Sequence, residues 1–193
     1  MNLFSKIAFL KQRPKIVATD SQKSQVLAGL KVLGQNEILV LELKEQNNLK
    51  ELDFFTKNAS LSILVLNSFD SIEKAKRLLN VLPISAHLIF NNDISSIQQL
   101  AKPLTCFKLS YGLEQGAQLR ATDFYPNGQG THFKLNFKGN ILPVWLPQAF
   151  SKQTIYNGLV ILAIAQILNL NLVETSSKLK QWQFSTDNLD RHY

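Results

Sequence analysis

Cysteine, glycine and charge are all scarce in this chain of 193 residues, which has one cysteine, 8 glycines and only 18% charged residues. The single cysteine, Cys106, excludes an internal disulfide framework and a metal cluster held by cysteines alone. Its apolar surroundings, LTCFKL, predict a buried side chain. Long apolar runs are also missing. The run at 155–170 includes polar residues and is shorter than the ~20 residues that a membrane span needs. Since the N-terminus also lacks a signal-peptide pattern, we expect a cytoplasmic protein.

Acidic residues are fewer than basic ones, 14 against 21, which gives a formal net charge of +7. Such a charge favours anionic partners in general. The lysines and arginines are dispersed, however, and no nucleic-acid recognition motif accompanies them. A solvated basic surface explains the excess, so the sequence predicts neither a nucleic-acid partner nor a membrane partner.

The first half of the chain alternates strand-like and helix-like segments. Short apolar or β-branched runs predict five strands at 15–19, 37–43, 61–66, 87–90 and 104–109. Helical spacing of apolar residues predicts helices between them at 21–33, 50–57, 71–82 and 94–101. Strands that alternate with helices indicate βαβ units, so the fold class is α/β with a mainly parallel sheet.

After Gly112 the pattern changes to three strand-like segments at 118–124, 131–138 and 140–146. Apolar and polar residues alternate in the middle segment, and Lys138-Gly139-Asn140 forms a natural hairpin turn. We therefore expect a small antiparallel meander near 118–146. Two helices follow, at 152–170 and 173–182, of which the first is apolar all round and predicted to be buried.

The order of pieces from Ser110 to Leu170 resembles the end of the central, ATP-binding domain of the Mur ligases, which build the peptidoglycan peptide. The string SYGLEQGAQLRATDF carries the most likeness, and the ligase that adds D-alanyl-D-alanine is the most similar member. Weaker likeness extends from Arg13 to Arg191. The resemblance implies a P-loop-NTPase-like sheet flanked by helices, with ATP and Mg²⁺ as cofactors.

The phosphate loop of that family aligns with ATDSQKSQVL, where Lys23 and Ser24 match the lysine and hydroxyl that the family uses for phosphate and magnesium. Such loops need glycines, because backbone N–H groups must close around the phosphates. Here Asp20 stands at the first glycine position, Gln22 lies nearby and the second glycine is deleted. We expect ATP and Mg²⁺ binding to be weak or absent, with Lys23 then an ordinary solvated lysine.

The resemblance implies further site residues, each with an ordinary structural alternative. Glu42 matches a magnesium-binding acid but also suits a strand end, and the glycine and histidine that accompany it are replaced by Lys44 and Ile72. Asn91 lies in an Asn/Asp cluster that contacts nucleotide in the family, although these residues are also common turn and cap formers. The resemblance also places Lys152, Gln153 and Asn157 beside the adenine, although Asn157 could instead bond to a neighbouring loop.

The family's ligases have an N-terminal domain for the UDP-sugar and a C-terminal domain for the amino acid. We assign residues 1–14 to an extension and 15–193 to one central-like domain. With no flanking domain, the chain alone is not expected to form the peptide bond. Three functions stay open. The first is a catalytically silent binding or scaffold module in cell-wall-related metabolism, and the second is the ATP-binding subunit of a split ligase whose protein partner supplies the missing domains. The third, unrelated to the family, is an anion- or nucleic-acid-binding module that uses the net charge of +7.

Overall fold

The computed structural model describes residues 3–43, 49–68 and 71–182. Lys44 and Arg191, which the resemblance singles out, lie outside these residues. The first part of the described chain consists of α1 (Leu3–Gln12), β1 (Lys15–Thr19), α2 (Lys23–Val32), β2 (Leu39–Glu42), α3 (Leu49–Asn58), β3 (Leu61–Leu66), α4 (Ile72–Asn80), β4 (His87–Asn91) and α5 (Ser95–Ala101). It continues with β5 (Phe107–Gly112), β6 (Leu119–Asn127), β7 (Gly130–Phe137), β8 (Asn140–Pro147), α6 (Lys152–Ile167) and α7 (Leu172–Leu179).

All eight of these strands form one sheet in the order β2-β1-β3-β4-β5-β6-β7-β8. The strands are parallel from β2 to the start of β6, and β6, β7 and β8 are antiparallel. The predicted α/β fold with a meander is therefore confirmed. The hairpin turn is also as predicted, because Lys138 and Gly139 both have positive φ, as a two-residue turn of this kind requires.

Two helical layers cover the sheet. On one face, α2, α6 and α7 enclose a core that includes Val17, Ile89 and Leu109. On the other face, α3, α4 and α5 enclose a second core that includes Leu88 and the buried Cys106. Side chains of β1, β3 and β4 enter both cores, which explains their continuous apolar sequence.

Helix α6 is the central element of the first core, as its all-round apolar sequence predicts. Ser151 and Thr154 form a capping box that starts it. Two glycines allow its neighbours to approach closely: a Cβ on Gly29 of α2 would lie 2.5 Å from Ile161, and a Cβ on Gly158 would lie 2.5 Å from Leu146. None of the helices in the described part of the chain is long and apolar enough to cross a membrane.

The structure differs from the sequence-based prediction at three places. Helix α1, within the predicted extension, was not expected; Phe9 anchors it to Phe54 and Phe55 of α3. Strand β5 begins three residues later than predicted, because the first apolar residues of that run pack against α5 instead. Leu27, which helical spacing places on the same face of α2 as Val26 and Leu30, is 43% exposed, whereas those two residues are buried.

Candidate functional site

The candidate site lies at the carboxyl edge of the parallel strands, where the loops after β1, β3, β4 and β5 meet. Ligands of open α/β sheets bind at this edge. Strand β1 lies between β2 and β3, so the loop from β1 to α2 is at the centre of the first half of the sheet.

Asp20 follows β1 directly, and its carboxylate faces the end of β3. The backbone N–H of Asn67 donates to both carboxylate oxygens at 3.0 Å, and that of Ser68 donates to Oδ2 at 2.7 Å. The Ser21 hydroxyl adds a contact of 3.3 Å. Burial raises the pKa of Asp20 to about 6, and the backbone donors counteract only part of that rise. The site therefore already contains an anionic group with its own donors.

Asn67 connects this carboxylate to the interior of the sheet. The Tyr111 hydroxyl donates to Asn67 Oδ1 at 2.8 Å, and Asn67 Nδ2 donates to Ser21 Oγ at 3.3 Å. Tyr111 is fully buried and Asn67 is 8% exposed. The resulting chain of hydrogen bonds from Tyr111 to Asp20 satisfies its polar groups within the protein, as buried groups require.

The loop itself is short. Three residues, 20–22, separate β1 from α2, and Gln22 has φ 63°, a left-handed conformation that costs a non-glycine residue about 1–2 kcal/mol. Lys23, half-buried, and Ser24, exposed, begin α2. Beside the loop, a cavity of about 10 Å³ is lined in part by Ser21, Asn67 and Asn157. A cavity of that volume holds about one water molecule.

The three predicted adenine-side residues lie in the first turns of α6. Gln153 Nε2 donates to Asn157 Oδ1 at 3.1 Å, so the two side chains that the sequence places on one helical face contact each other. Asn157 is 7% exposed and lines the small cavity, whereas Gln153 and Lys152 are exposed. The structure thus brings Asn157 to the loop after β1.

Asn91 has a turn role. Its Oδ1 accepts the N–H of Asp93 at 3.0 Å, and its side chain is 3% exposed. Asp93 in turn accepts the N–H groups of Leu113 and Glu114 at 2.7 and 3.1 Å and the Tyr156 hydroxyl at 2.8 Å. Asp93 therefore fastens the loop after β5 to α6.

Sequence reasoning missed the roles of Tyr111, Tyr156 and Asp93. An aspartate between a strand and a helix is an available signal for Asp93, because such positions face the carboxyl edge of the sheet. No comparable signal marks the two tyrosines, whose hydroxyls reach partners 44 and 63 residues away.

The predicted magnesium residues lie on two different elements, β2 and α2. Glu42 ends β2 and is half-buried, in register with Thr19 of β1. Ser24 is exposed on α2, and Ile72, at the histidine position of the family, is 51% exposed and offers no ligand atom. Across residues 3–43, 49–68 and 71–182, no group of three or more His, Cys, Asp or Glu side chains could hold a metal ion.

Curated proteins with similar sequences include ligases named for 2,6-diaminopimelate. The UDP-N-acetylmuramoyl-L-alanyl-D-glutamate–2,6-diaminopimelate ligase of Chlamydia abortus is 30% identical over 99 residues, which are 51% of this chain and 20% of that protein. The same ligase of Chlamydia felis is 32% identical over 113 residues, 58% of this chain and 23% of that protein. No family model matches the chain.

Solved structures extend the likeness to nearly the whole chain. MurF from Acinetobacter baumannii has a TM-score of 0.70 at 17% identity, covering 93% of this chain and 48% of that one. A 2,6-diaminopimelate ligase has a TM-score of 0.72 at 14% identity, covering 93% of this chain and 49% of that one. MurF from Thermotoga maritima, in complex with ADP, has a TM-score of 0.64 at 14% identity and 90% coverage of this chain.

The predicted resemblance to the Mur ligases is thereby confirmed, in sequence over about half the chain and in fold over most of it. The chain spans about half the length of the solved neighbours, and its match covers about a fifth of the curated relatives. Ligases for diaminopimelate and for D-alanyl-D-alanine both occur among the relatives, so the particular member stays a prediction.

Proposed function

We propose that this chain is a relative of the Mur ligase central domain that has lost its nucleotide site and acts in the cytoplasm as a binding or scaffold module in cell-wall-related metabolism. The observation that carries the proposal is the Asp20 carboxylate, which accepts the backbone N–H groups of Asn67 and Ser68 at the edge where the family binds phosphate. A ligase reaction by this chain alone is not part of the proposal.

Electrostatics supports loss of phosphate binding. A carboxylate about 4 Å from a phosphate charge costs roughly 4 kcal/mol at an effective dielectric near 20. At about 1.4 kcal/mol for each factor of ten, that repulsion weakens binding by roughly a thousandfold. Lys23 alone does not offset it, because a phosphate loop relies on converging backbone N–H groups as well as on its lysine.

Steric closure supports the same conclusion. A functional phosphate loop surrounds its ligand with backbone N–H groups of a glycine-rich turn. Here Gln22 and a three-residue connection replace that turn, and the neighbouring cavity of about 10 Å³ accommodates about one water molecule. The hydrogen bond between Asn67 and Ser21 joins two side chains that line this cavity, so both groups already have a partner.

An assay of ATP hydrolysis tests this proposal. The purified chain should show no hydrolysis above the rate of the buffer, and Lys23→Ala should behave in the same way. Lys31→Ala is the matched control, because it removes a lysine from the last turn of the same helix, α2. Hydrolysis by the unaltered chain that is abolished by Lys23→Ala and kept by Lys31→Ala would refute the loss of the nucleotide site.

A second candidate is the ATP-binding subunit of a split ATP-dependent peptidoglycan ligase, in which a protein partner supplies the missing domains. Lys23 and Ser24 at the start of α2 and Asn157 beside the loop after β1 favour it. The relatives whose names describe ligases, and the neighbour solved with ADP, have the same fold.

Thermal unfolding distinguishes the two candidates. If the dissociation constant for Mg-ATP is about 1 mM, then about 5 mM ligand stabilises the folded chain by roughly 1 kcal/mol, which raises the melting temperature by several degrees. No shift at that concentration argues against the split-ligase candidate. A shift that Lys23→Ala removes favours it over the silent module.

A further inference from the structure

Among residues 3–43, 49–68 and 71–182, helices cover one face of the second half of the sheet and leave the other face open. Helices α6 and α7 pack on the face of β5–β8 that contributes Leu119, Leu135 and Val144 to the first core. On the opposite face, α5 packs on β4. The side chains that alternate with the buried ones point away from the core. We call six of them the open sheet face: Lys108, Arg120, Tyr125, His132, Lys134 and Trp145.

Three aromatic rings of the open sheet face follow one line across three strands. Tyr125 of β6 is paired in register with His132 of β7, and His132 is paired with Trp145 of β8. The rings of His132 and Trp145 are stacked, with centroids 4.1 Å apart and planes 30° apart. Tyr125 is 68% exposed. An open antiparallel sheet thus presents planar rings to solvent at neighbouring positions.

A glycine makes room for this arrangement. A Cβ on Gly130 would lie 2.9 Å from Cη2 of Trp145, so the indole lies over β7 because residue 130 has no side chain. The stack on His132 then restricts the indole in this position. A fixed ring loses little conformational freedom when another ring stacks on it.

Two basic residues, Arg120 of β6 and Lys134 of β7, lie on the same strands and the same face as the aromatic line. Within β6, β7 and β8 the only acidic residue is Asp123. Asp123 is paired with Lys134 at 2.8 Å, and such an exposed pair is worth little. Arg120 Nε is buried without a hydrogen-bond partner among the residues that the structure describes.

An open groove of about 550 Å³ adjoins this face where α5 ends. Its lining includes Lys102 and Lys108 together with the amide side chains of Gln98, Gln99 and Gln118. The Lys108 ammonium group already donates to three backbone carbonyls, so Lys102 and the amides are the groups that can meet a ligand. Lys108 belongs both to the groove and to the open sheet face, so the two surfaces are continuous. Amides and ammonium groups suit the oxygens of a sugar-phosphate backbone.

We propose that the open sheet face binds single-stranded nucleic acid, with bases stacked on Tyr125 and on the His132–Trp145 pair and the backbone passing along the basic residues toward the groove. Exposed aromatic rings on an antiparallel sheet, next to positive charge, are the combination that recognises unpaired bases. Charge alone predicts no such partner, because the lysines are dispersed along the sequence. The fold adds the aromatic rings, because it aligns Tyr125, His132 and Trp145 on neighbouring strands. This site is independent of the nucleotide site discussed above.

Fluorescence anisotropy with a labelled oligouridylate of about 12 nucleotides tests the proposal, since single-strand sites span roughly 4–16 nucleotides. Binding should occur at low salt and weaken steeply as salt rises. Tyr125→Ala should weaken it about tenfold, the loss of one base stack. Phe150→Ala, which removes another exposed aromatic ring (65% exposed) in the connection between β8 and α6, should leave affinity unchanged.

Emission of Trp145 gives a second readout that does not depend on a variant. A base that stacks on the open sheet face should quench it, whereas Trp182 is fully buried and should not respond. The proposal is overturned if anisotropy does not change at about 100 µM protein, the weak end of non-specific nucleic-acid affinity. It is also overturned if a duplex of equal length binds as tightly and Tyr125→Ala has no effect, because charge alone would then explain binding.

Discussion

Replacing Asp20 by Asn tests whether a buried carboxylate occupies the edge of the sheet. The substitution keeps the size and one acceptor oxygen of the side chain but removes its charge. It also directs an amide group toward backbone donors, because Asn67 and Ser68 both donate N–H groups to the wild-type carboxylate. The variant should therefore be less stable at low pH, by the cost of one unsatisfied buried group, about 1–3 kcal/mol.

The pH dependence of stability separates the effect of the charge from the cost of the unsatisfied group, which does not change with pH. Burial raises the folded-state pKa of Asp20 from 3.8 to about 6, so the folded protein binds a proton more tightly than the unfolded chain. The stability that this group contributes is fully present below about pH 4 and is lost as the pH rises through about 6. A difference of about two pKa units corresponds to roughly 3 kcal/mol. The amide side chain of Asp20→Asn does not titrate, so the variant loses no stability at this position as the pH rises.

Urea denaturation of the wild type and of Asp20→Asn at about pH 4 and about pH 8 measures how the difference between their free energies of unfolding changes with pH. The free energy of unfolding of Asp20→Asn, relative to wild type, should rise by roughly 3 kcal/mol from the lower to the higher pH. Asp53→Asn, which alters an exposed ion pair with Lys57, should show little change. A relative stability of Asp20→Asn that falls with pH would refute the reasoning, because the backbone donors would then outweigh burial and the pKa would be lowered.

Three further substitutions test the packing and hydrogen bonds that shape the site, each by chemical or thermal denaturation. Tyr111→Phe leaves Asn67 Oδ1 without its buried donor and should cost about 1–3 kcal/mol of unfolding free energy. Gly29→Ala adds a Cβ 2.5 Å from Ile161 and should cost about 1–3 kcal/mol through overpacking of α2 against α6. Lys108→Ala removes the ammonium group that binds three carbonyls at the end of α5, at 2.8 to 3.3 Å, and should cost about 1 kcal/mol.

Matched substitutions of the same type control for general effects. Tyr156→Phe removes a half-buried hydroxyl and should cost less than Tyr111→Phe. Gly128→Ala adds a methyl group with no atom within 4 Å, so it should be nearly neutral. Lys102→Ala removes a lysine next to the same helix end and should have little effect. If a test substitution and its control lower the free energy of unfolding equally, that result would contradict the contact assigned to the tested residue.

The alternation of strands and helices and the meander could be predicted because each depends on local pattern. Continuous apolar runs, such as that of β3, mark strands that are buried on both faces. Lys138 and Gly139 define the hairpin turn between β7 and β8, because both adopt the positive φ that such a turn requires. Helix α1 could not be predicted in the same way. The buried side chain of Phe9 attaches it, and the partners of that ring, Phe54 and Phe55, are about 45 residues away.

The candidate site could be predicted only where the resemblance supplied positions. Sequence spacing correctly placed Gln153 and Asn157 on one helical face, where they form a hydrogen bond. It identified Asp20 as an obstacle to phosphate but not as an acceptor for Asn67 and Ser68, because that contact spans 47 and 48 residues. Long-range hydrogen bonds of this kind depend on strand order, which local patterns do not determine.

Calorimetric titration of the purified chain with Mg-ATP at low salt, repeated with Lys23→Ala, tests the central claim most directly. The closed loop and the Asp20 carboxylate predict no binding heat in either protein up to several times a dissociation constant of about 1 mM, an affinity near −4 kcal/mol. Binding by the unaltered chain that disappears in Lys23→Ala would contradict the account, because the loop after β1 would then still hold phosphate.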